Sequence, residues 1–281
     1  MMKTASTYRA VHAVSPGRLE LTEKATQAPG PGEVRIRVEA CGVCHSDSGT
    51  VEALFPIDWP RVPGHEVVGR IDALGSGVQG WAVGQRVGVG FLGGSCGYCQ
   101  FCRVGDLVNC RNQEYTGIHH DGGYAEVMIA KASGLMSIPD SLSSVDAAPL
   151  LCAGLTTFSA LRNAPAKAGD LVAVLGIGGL GHLGVQYARH MGSRSRRLRV
   201  ARTRRNWRRS SAPTTTSTTR LPALQELGGA GDPATGEETL RFSALSGVSA
   251  MIETVPLERA ADAYAKMMAG KARFRMVLTM N

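Results

Sequence analysis

The chain has 281 residues, long for one domain and comfortable for two, and its 43% hydrophobic content is enough for a sizeable core. The formal net charge is +8, yet residues 193–220 hold ten arginines and no acid, and without those arginines the charge turns to −2. The positive excess belongs to one stretch, which argues against a nucleic-acid partner; no apolar run approaches the ~20 residues that span a bilayer, and Met1–Thr7 lacks the apolar stretch of a signal peptide, so the expectation is a cytoplasmic protein.

Residues 1–150 are rich in glycine and in short β-branched runs. Val34–Ala40 alternates as a half-buried strand should, and Glu66–Ile71 and Arg86–Val89 look similar. Turn chemistry at Pro29–Gly32 and Gly75–Gly77 separates them, and such spacing predicts a small barrel. The pattern changes near residue 145. Helical spacing runs from Val145 to Arg162, then Leu171–Leu175 forms an apolar run typical of a buried parallel strand. The turn Gly176-Ile177-Gly178-Gly179-Leu180-Gly181 follows, and a helix comes after it. Strand, glycine turn and helix in this order are how a doubly wound dinucleotide domain begins. The acid expected ~20 residues further on, which would bind a ribose hydroxyl, is missing, because the arginine-rich stretch stands there. Near the end, Leu257, Ala260, Ala261, Tyr264, Met267 and Met268 share one face at helical spacing, with the two methionines read as core, and Phe274–Leu278 reads as a last strand.

Six of the seven cysteines fall into two metal-ligand patterns. Cys96, Cys99, Cys102 and Cys110 form a C-x2-C-x2-C-x7-C run among glycines. Four thiolates saturate tetrahedral zinc, so this site is closed and structural. Cys44, His65 and Cys152 come from distant parts of the chain, as ligands of an open zinc site commonly do, and three protein ligands leave a fourth position free. In a reducing compartment both sets read as metal ligands and not disulfides. Asp47 and Glu66 stand beside these ligands, and one of them could orient His65 through its second ring nitrogen. Ser46 could carry a proton. Cys41 is read as a structural thiol, and His119-His120-Asp121 as a polar loop, since adjacent side chains rarely converge on one ion.

With both cysteine patterns and the glycine turn in this order, the chain resembles the zinc-dependent medium-chain alcohol dehydrogenases, nearest their bacterial cinnamyl-alcohol-dehydrogenase-like group. The resemblance rests on Cys41–Asp47, Pro63–Glu66, the Cys96–Cys110 loop, Cys152–Thr156 and Gly176–Gly181, and covers residues 1–192 and about 222–281. It implies an α/β plus β fold: a GroES-like barrel catalytic domain over 1–150, to which about 254–281 returns, and an incomplete Rossmann domain over 151–253. It implies two Zn²⁺ per chain, NAD or NADP, and a small alcohol or aldehyde substrate, with Phe55, Trp59 and Phe91 as candidate pocket walls. Cys44, His65 and Cys152 match the catalytic ligands, Glu66 a carboxylate near the metal, Asp47 the partner of His65 and Ser46 a proton relay. His45 matches a cofactor-phosphate contact, Thr156 a nicotinamide contact, and Gly176, Gly178, Gly179, Leu180 and Gly181 the pyrophosphate turn. Gly49 stands where many relatives have a relay histidine.

The chain departs from the family after Gly192. Where relatives carry Gly-Ala-His-His-Tyr-Ile-Asp, this chain reads Ala212-Pro213-Thr214-Thr215-Thr216-Ser217-Thr218. Codons for the first string, GGC GCC CAC CAC TAC ATC GAC, read one base late, encode the second letter for letter. The expectation is that 193–220 is translated out of frame, and that a stretch on the scale of two βαβ units, each ~30 residues, is missing near 230–231. A zinc-binding remnant impaired in catalysis is the alternative. Relatives often pair through the Rossmann sheet edge, so a homo-oligomer is possible with that interface disturbed.

Overall fold

A computed structural model describes residues 6–198 and 231–280. The first hairpin is β1 (Thr7–Ser15) with β2 (Arg18–Ala25). The long strand β3 (Glu33–Val43) then starts the main sheet, followed by the short helix α1 (Ser48–Val51), β4 (Glu66–Leu74), β5 (Arg86–Val89), β6 (Val127–Lys131) and β7 (Leu135–Ser137). Short strands punctuated by glycine turns are what the first 150 residues predicted. Helix α2 (Ser144–Ala147) leads through a 3-10 turn to Cys152, which breaks the helical run before α3 (Ala153–Asn163).

The remaining elements are β8 (Leu171–Leu175), α4 (Gly181–His190), β9 (Arg194–Leu198), α5 (Pro233–Ser246), β10 (Ile252–Pro256), α6 (Ala260–Met268) and β11 (Arg275–Thr279). The main sheet runs β10-β11-β3-β4-β5-β7, with β6 also on β3. Strand β11 therefore comes from the end of the chain to lie antiparallel to β3, with Val277 opposite Gly42. This placement decides the architecture of the site, because Cys41–Cys44 continue directly from that register.

Two cores sit on this sheet. The first packs Ile36, Ile71, Tyr124 and Met128 with Leu257 of the C-terminal segment and Leu278 of β11. The second joins the sheet to the helices, through Val68, Leu151, Leu183, Tyr187, Leu240 and Val277. Phe158, Tyr187 and Phe242, from α3, α4 and α5, meet with ring centroids 5.3–6.0 Å apart. Of the two methionines read as core, Met267 packs against the first cluster, but Met268 is 37% exposed. It lies at the end of α6, where the apolar stripe has turned away from the sheet. Among the described residues no single helix is long and apolar enough to cross a membrane. Helices Ser144–Leu151 and Ala153–Asn163 meet that test only as a pair bent by 52°, and residues of both pack in the second core.

One expectation is corrected here. Strand β8 was read as buried, yet Leu171 is 63% and Leu175 71% exposed. Among the described residues it pairs in parallel with β9 and with no other strand, and α4 packs on its Val174 side. A strand in the middle of a doubly wound sheet has neighbours on both edges and helices on both faces; this one has half of each among the described residues. The basic segment Arg194–Leu198 still forms β9, because ladder hydrogen bonds are made by the backbone. Most of the stretch read as out of frame, and the junction at 230–231, lie outside the described residues.

Exposure of that face predicts a mutational contrast. Leu171→Ser and Leu175→Ser should each change unfolding free energy by no more than about 0.5 kcal/mol. Leu183→Ala, in the second core, should cost about 2–5 kcal/mol. Urea unfolding of the three variants measures this, and a large loss at Leu175 would mean that the face is covered.

Candidate metal centre and cofactor turn

Strand β3 ends at Val43, and Cys44 begins a tight 3-10 turn over His45–Asp47. Asp47 folds back so that its Oδ2 accepts from the backbone N–H of Cys44 at 2.9 Å and from the Tyr124 hydroxyl at 2.8 Å. Its Oδ1 lies 2.8 Å from Nδ1 of His65, the residue just before β4. Asp47 and His65 are each 2% exposed. The imidazole is thus oriented by Asp47, which resolves the sequence alternative of Asp47 or Glu66.

Nε2 of His65 is buried and has no partner. Ligand atoms of Cys44, His65, Glu66 and Cys152 all lie within 4.8 Å of one another. Cys44 Sγ and Cys152 Sγ are 3.8 Å apart. Two zinc–sulfur bonds of about 2.3 Å at a tetrahedral angle give about that separation. An orphaned imidazole nitrogen facing two thiols fits a soft divalent cation. The electrostatics agree. The hydrogen bond with Cys152 holds the Cys44 thiol well below its ordinary range despite burial, and the same bond pushes Cys152 well above it. The pair shares a proton that a bound cation would displace.

Glu66 is fully buried, and Gly42 makes room for it: a Cβ at residue 42 would come 1.8 Å from Glu66 Oε2. Burial pushes the Glu66 carboxyl up to about 7, with Arg275 opposing. Its Oε1 accepts from Nη2 of Arg275, itself 4% exposed, while Oε2 has no partner. Sequence reasoning missed Arg275 and Tyr124. The signal for Arg275 was available: an arginine heading the apolar run to Leu278 requires a buried acid, and Glu66 was the acid without an assigned partner.

The four cysteines of the loop lie together. Sγ–Sγ separations are 3.9 Å for Cys96–Cys102, 3.6 Å for Cys99–Cys102 and 3.6 Å for Cys110–Cys96. All four sulfurs lie within 4.8 Å of one another. Desolvation pushes the Cys96 thiol up, but the Tyr98 backbone and the Asn112 side chain bring it down to about 6. Among the described residues these two sets are the clusters that could hold an ion. His119 and His120 join neither: His119 Nδ1 accepts from the Tyr115 N–H, and His120 Nδ1 lies 3.1 Å from the Asp121 carbonyl.

Ser46 and His45 are exposed, next to Cys44. Thr156 is half-buried in α3, one turn beyond Cys152, whose carbonyl takes its N–H at 2.8 Å. Phe91 meets His65 edge-on at 5.1 Å and stacks on Tyr115 at 4.9 Å. Phe55 fills the space beside Gly49, where a Cβ would lie 2.7 Å from its ring; Trp59 is half-buried in the same loop. The glycine turn joins β8 to α4. Gly176 has φ +80°, and a Cβ at Gly181 would come 1.9 Å from the Gly176 carbonyl. Around Gly178 a Cβ would meet nothing within 4 Å, and no side chain caps α4. A helix start beside an open glycine suits a pyrophosphate.

Comparison with known proteins follows the same outline. Residues 30–140 match the model of the alcohol dehydrogenase GroES-like domain. The alcohol dehydrogenase patD of Penicillium expansum is 34% identical over 336 residues, covering 99% of each chain. That alignment is longer than this chain, so the relative carries residues that are absent here. An alcohol dehydrogenase of Geobacillus stearothermophilus is 48% identical over 163 residues, 57% of this chain and 48% of that one. The cinnamyl alcohol dehydrogenase (CAD) of Helicobacter pylori, solved with NADP(H), superposes with a TM-score of 0.81 at 24% identity, covering 98% and 99% of the two chains, and so shares the fold.

The buried ion pair gives the prediction from this geometry. Arg275→Met leaves the Glu66 carboxyl buried without a cation and should cost about 3–5 kcal/mol of unfolding free energy. The double variant Glu66→Gln/Arg275→Met should recover part of that loss. Urea unfolding decides it; equal losses in the single and double variants would mean that the pair is not the source.

Proposed function

We propose that this chain, which belongs to the zinc-dependent medium-chain alcohol dehydrogenases, holds two zinc ions and interconverts a primary alcohol and its aldehyde with NAD or NADP. The observation that carries the reading is the buried, unpartnered Nε2 of His65 facing the Cys44 and Cys152 sulfurs. Cys44, His65 and Cys152 would hold the catalytic ion, and Cys96, Cys99, Cys102 and Cys110 the structural one. A zinc with an open position supplies Lewis acidity at the alcohol oxygen, and the dinucleotide supplies the hydride acceptor.

The chain's own residues do the rest. Asp47, held by Tyr124 and the Cys44 amide, fixes the His65 ring so that Nε2 faces the sulfurs. Arg275 holds Glu66 beside the ligand set and keeps one of its oxygens occupied. Ser46, exposed next to Cys44, passes the proton directly to water, because Phe55 occupies the space beside Gly49. Gly176, Gly178, Gly179, Leu180 and Gly181 take the pyrophosphate at the start of α4. His45 takes a cofactor phosphate and Thr156 the nicotinamide side. Phe91 and Tyr115 give the alcohol a flat apolar wall.

We assign 1–150 with about 254–281 to the catalytic domain and 151–253 to an incomplete cofactor domain. The support is the return of β11 to β3 and the exposed face of β8. The out-of-frame origin of 193–220 is supported by the seven-residue codon match, and the missing stretch by an alignment longer than the chain. A cytoplasmic location suits two thiolate metal sets. Loss of catalysis is the second reading, favoured by the exposed leucines of β8.

Metal content tests the central assignment. Elemental analysis should find two zinc ions per chain, one in Cys44→Ser and one in Cys99→Ser. Cys44→Ser should also abolish benzyl alcohol oxidation followed by NAD(P)H absorbance. Two ions retained in either variant would refute the ligand sets, and two ions without hydride transfer in the parent chain would establish the second reading.

A further inference from the structure

His182, the second residue of α4, is 7% exposed and belongs neither to the metal sets nor to the glycine turn itself. Its Nδ1 lies 2.8 Å from the Gly178 carbonyl, and its Nε2 accepts the Met251 backbone N–H at 3.2 Å. A carbonyl only accepts and an amide only donates, so Nδ1 carries the proton and Nε2 does not. The ring stacks on Phe274, with centroids 4.9 Å apart and planes at 22°. One turn along α4, Gln186 donates to the Ser249 carbonyl at 2.9 Å and accepts its N–H at 3.2 Å.

The connection continues beyond Met251. Its carbonyl accepts the backbone N–H of Arg275 at 3.0 Å, and that of Phe274 at 2.8 Å. Arg275 in turn holds Glu66, and its guanidinium lies 3.0 Å from where a Cβ of Gly179 would sit. A chain of bonded groups therefore runs from Gly178 through His182, Met251 and Arg275 to Glu66 beside the metal ligands.

We propose that His182 is a positioning residue that keeps the cofactor turn in register with the strand carrying Arg275, and through it with Glu66 at the metal centre. The proposal rests on the dinucleotide reading of the glycine turn. It requires the neutral ring, because a proton on Nε2 removes the acceptor for Met251. Burial lowers the His182 pKa from its ordinary value, the Gly178 and Gly179 carbonyls oppose it, and Arg275, the charged group acting on it, adds to the lowering. Gly178, Gly179, Met251, Phe274 and Gln186 present no charge to it. A histidine whose native pKa is depressed contributes fully above its unfolded value of about 6.5, and the contribution falls as pH drops below it. The link should therefore be complete near pH 7.5 and weaken toward pH 5.5.

Two readouts separate this proposal from the reading beneath it. The first is hydrogen exchange at the Met251 amide, which needs no cofactor. His182→Phe keeps the ring stack but loses both hydrogen bonds, and His182→Asn keeps a donor for Gly178 and loses the acceptor for Met251. Both should raise Met251 exchange about tenfold, as expected when a hydrogen-bonded amide loses its partner, and the wild-type amide alone should show acid-sensitive protection. The second is NADH and NADPH titration by fluorescence. His182→Phe should weaken binding about tenfold at pH 7.5 and flatten the acid-side loss of affinity seen in the wild type. Unchanged Met251 exchange in both variants overturns the proposal whether or not dinucleotide binds. If wild-type chain binds neither dinucleotide while Met251 responds as expected, the dinucleotide reading fails and the role of His182 as the link between α4 and β11 stands. Variants that lose only thermal stability, with the pH profile of binding intact, also overturn it.

Discussion

The Glu66–Arg275 pair organises this molecule. Glu66 follows a candidate metal ligand in sequence and is fully buried, so its charge must be answered inside the protein. The answering arginine lies 209 residues away on the last strand. Burial of that pair requires β11 to lie beside β3, and β3 in turn ends at Cys44. Metal ligands, C-terminal strand and glycine turn are thereby brought within reach of one another. A chain that lost its reading frame for good after Gly192 would lose Arg275, and with it the counter-charge at its own candidate metal centre. The presence of Arg275 is thus a physical reason to expect that the frame returns before the end.

Much of the candidate site was legible in the sequence because metal chemistry restricts residue type and spacing so strongly. Four cysteines within fifteen residues leave little besides a tetrahedral thiolate set, and the structure brings their sulfurs together. The open set was legible only as a combination, since Cys44, His65 and Cys152 are unremarkable singly. Arg275 and Tyr124 were not read because they act through partners that are distant in sequence, and a long-range ion pair leaves no periodicity. His182 escaped for a similar reason: both of its hydrogen bonds are to backbone groups, which every sequence possesses.

The fold shows where local pattern stops deciding structure. An apolar run such as Leu171–Leu175 predicts a strand correctly, but its burial depends on neighbours that other segments must supply. Conversely, the sequence of Arg194–Leu198 lacks the apolar run of a buried strand and still pairs with β8 through its backbone. The short run of α2 and the break at Cys152 follow a third logic, in which helical continuity gives way to placing a sulfur next to Cys44. The main sheet gathers seven strands, whereas β8, among the described residues, pairs with β9.

The measurement that bears most directly on this account is a crystal structure of the purified chain with anomalous data at the zinc edge. Two anomalous peaks are expected, one enclosed by Cys96, Cys99, Cys102 and Cys110, the other between Cys44, His65 Nε2 and Cys152. A single peak in the four-cysteine loop, with His65 Nε2 bonded to a protein group instead, would contradict it.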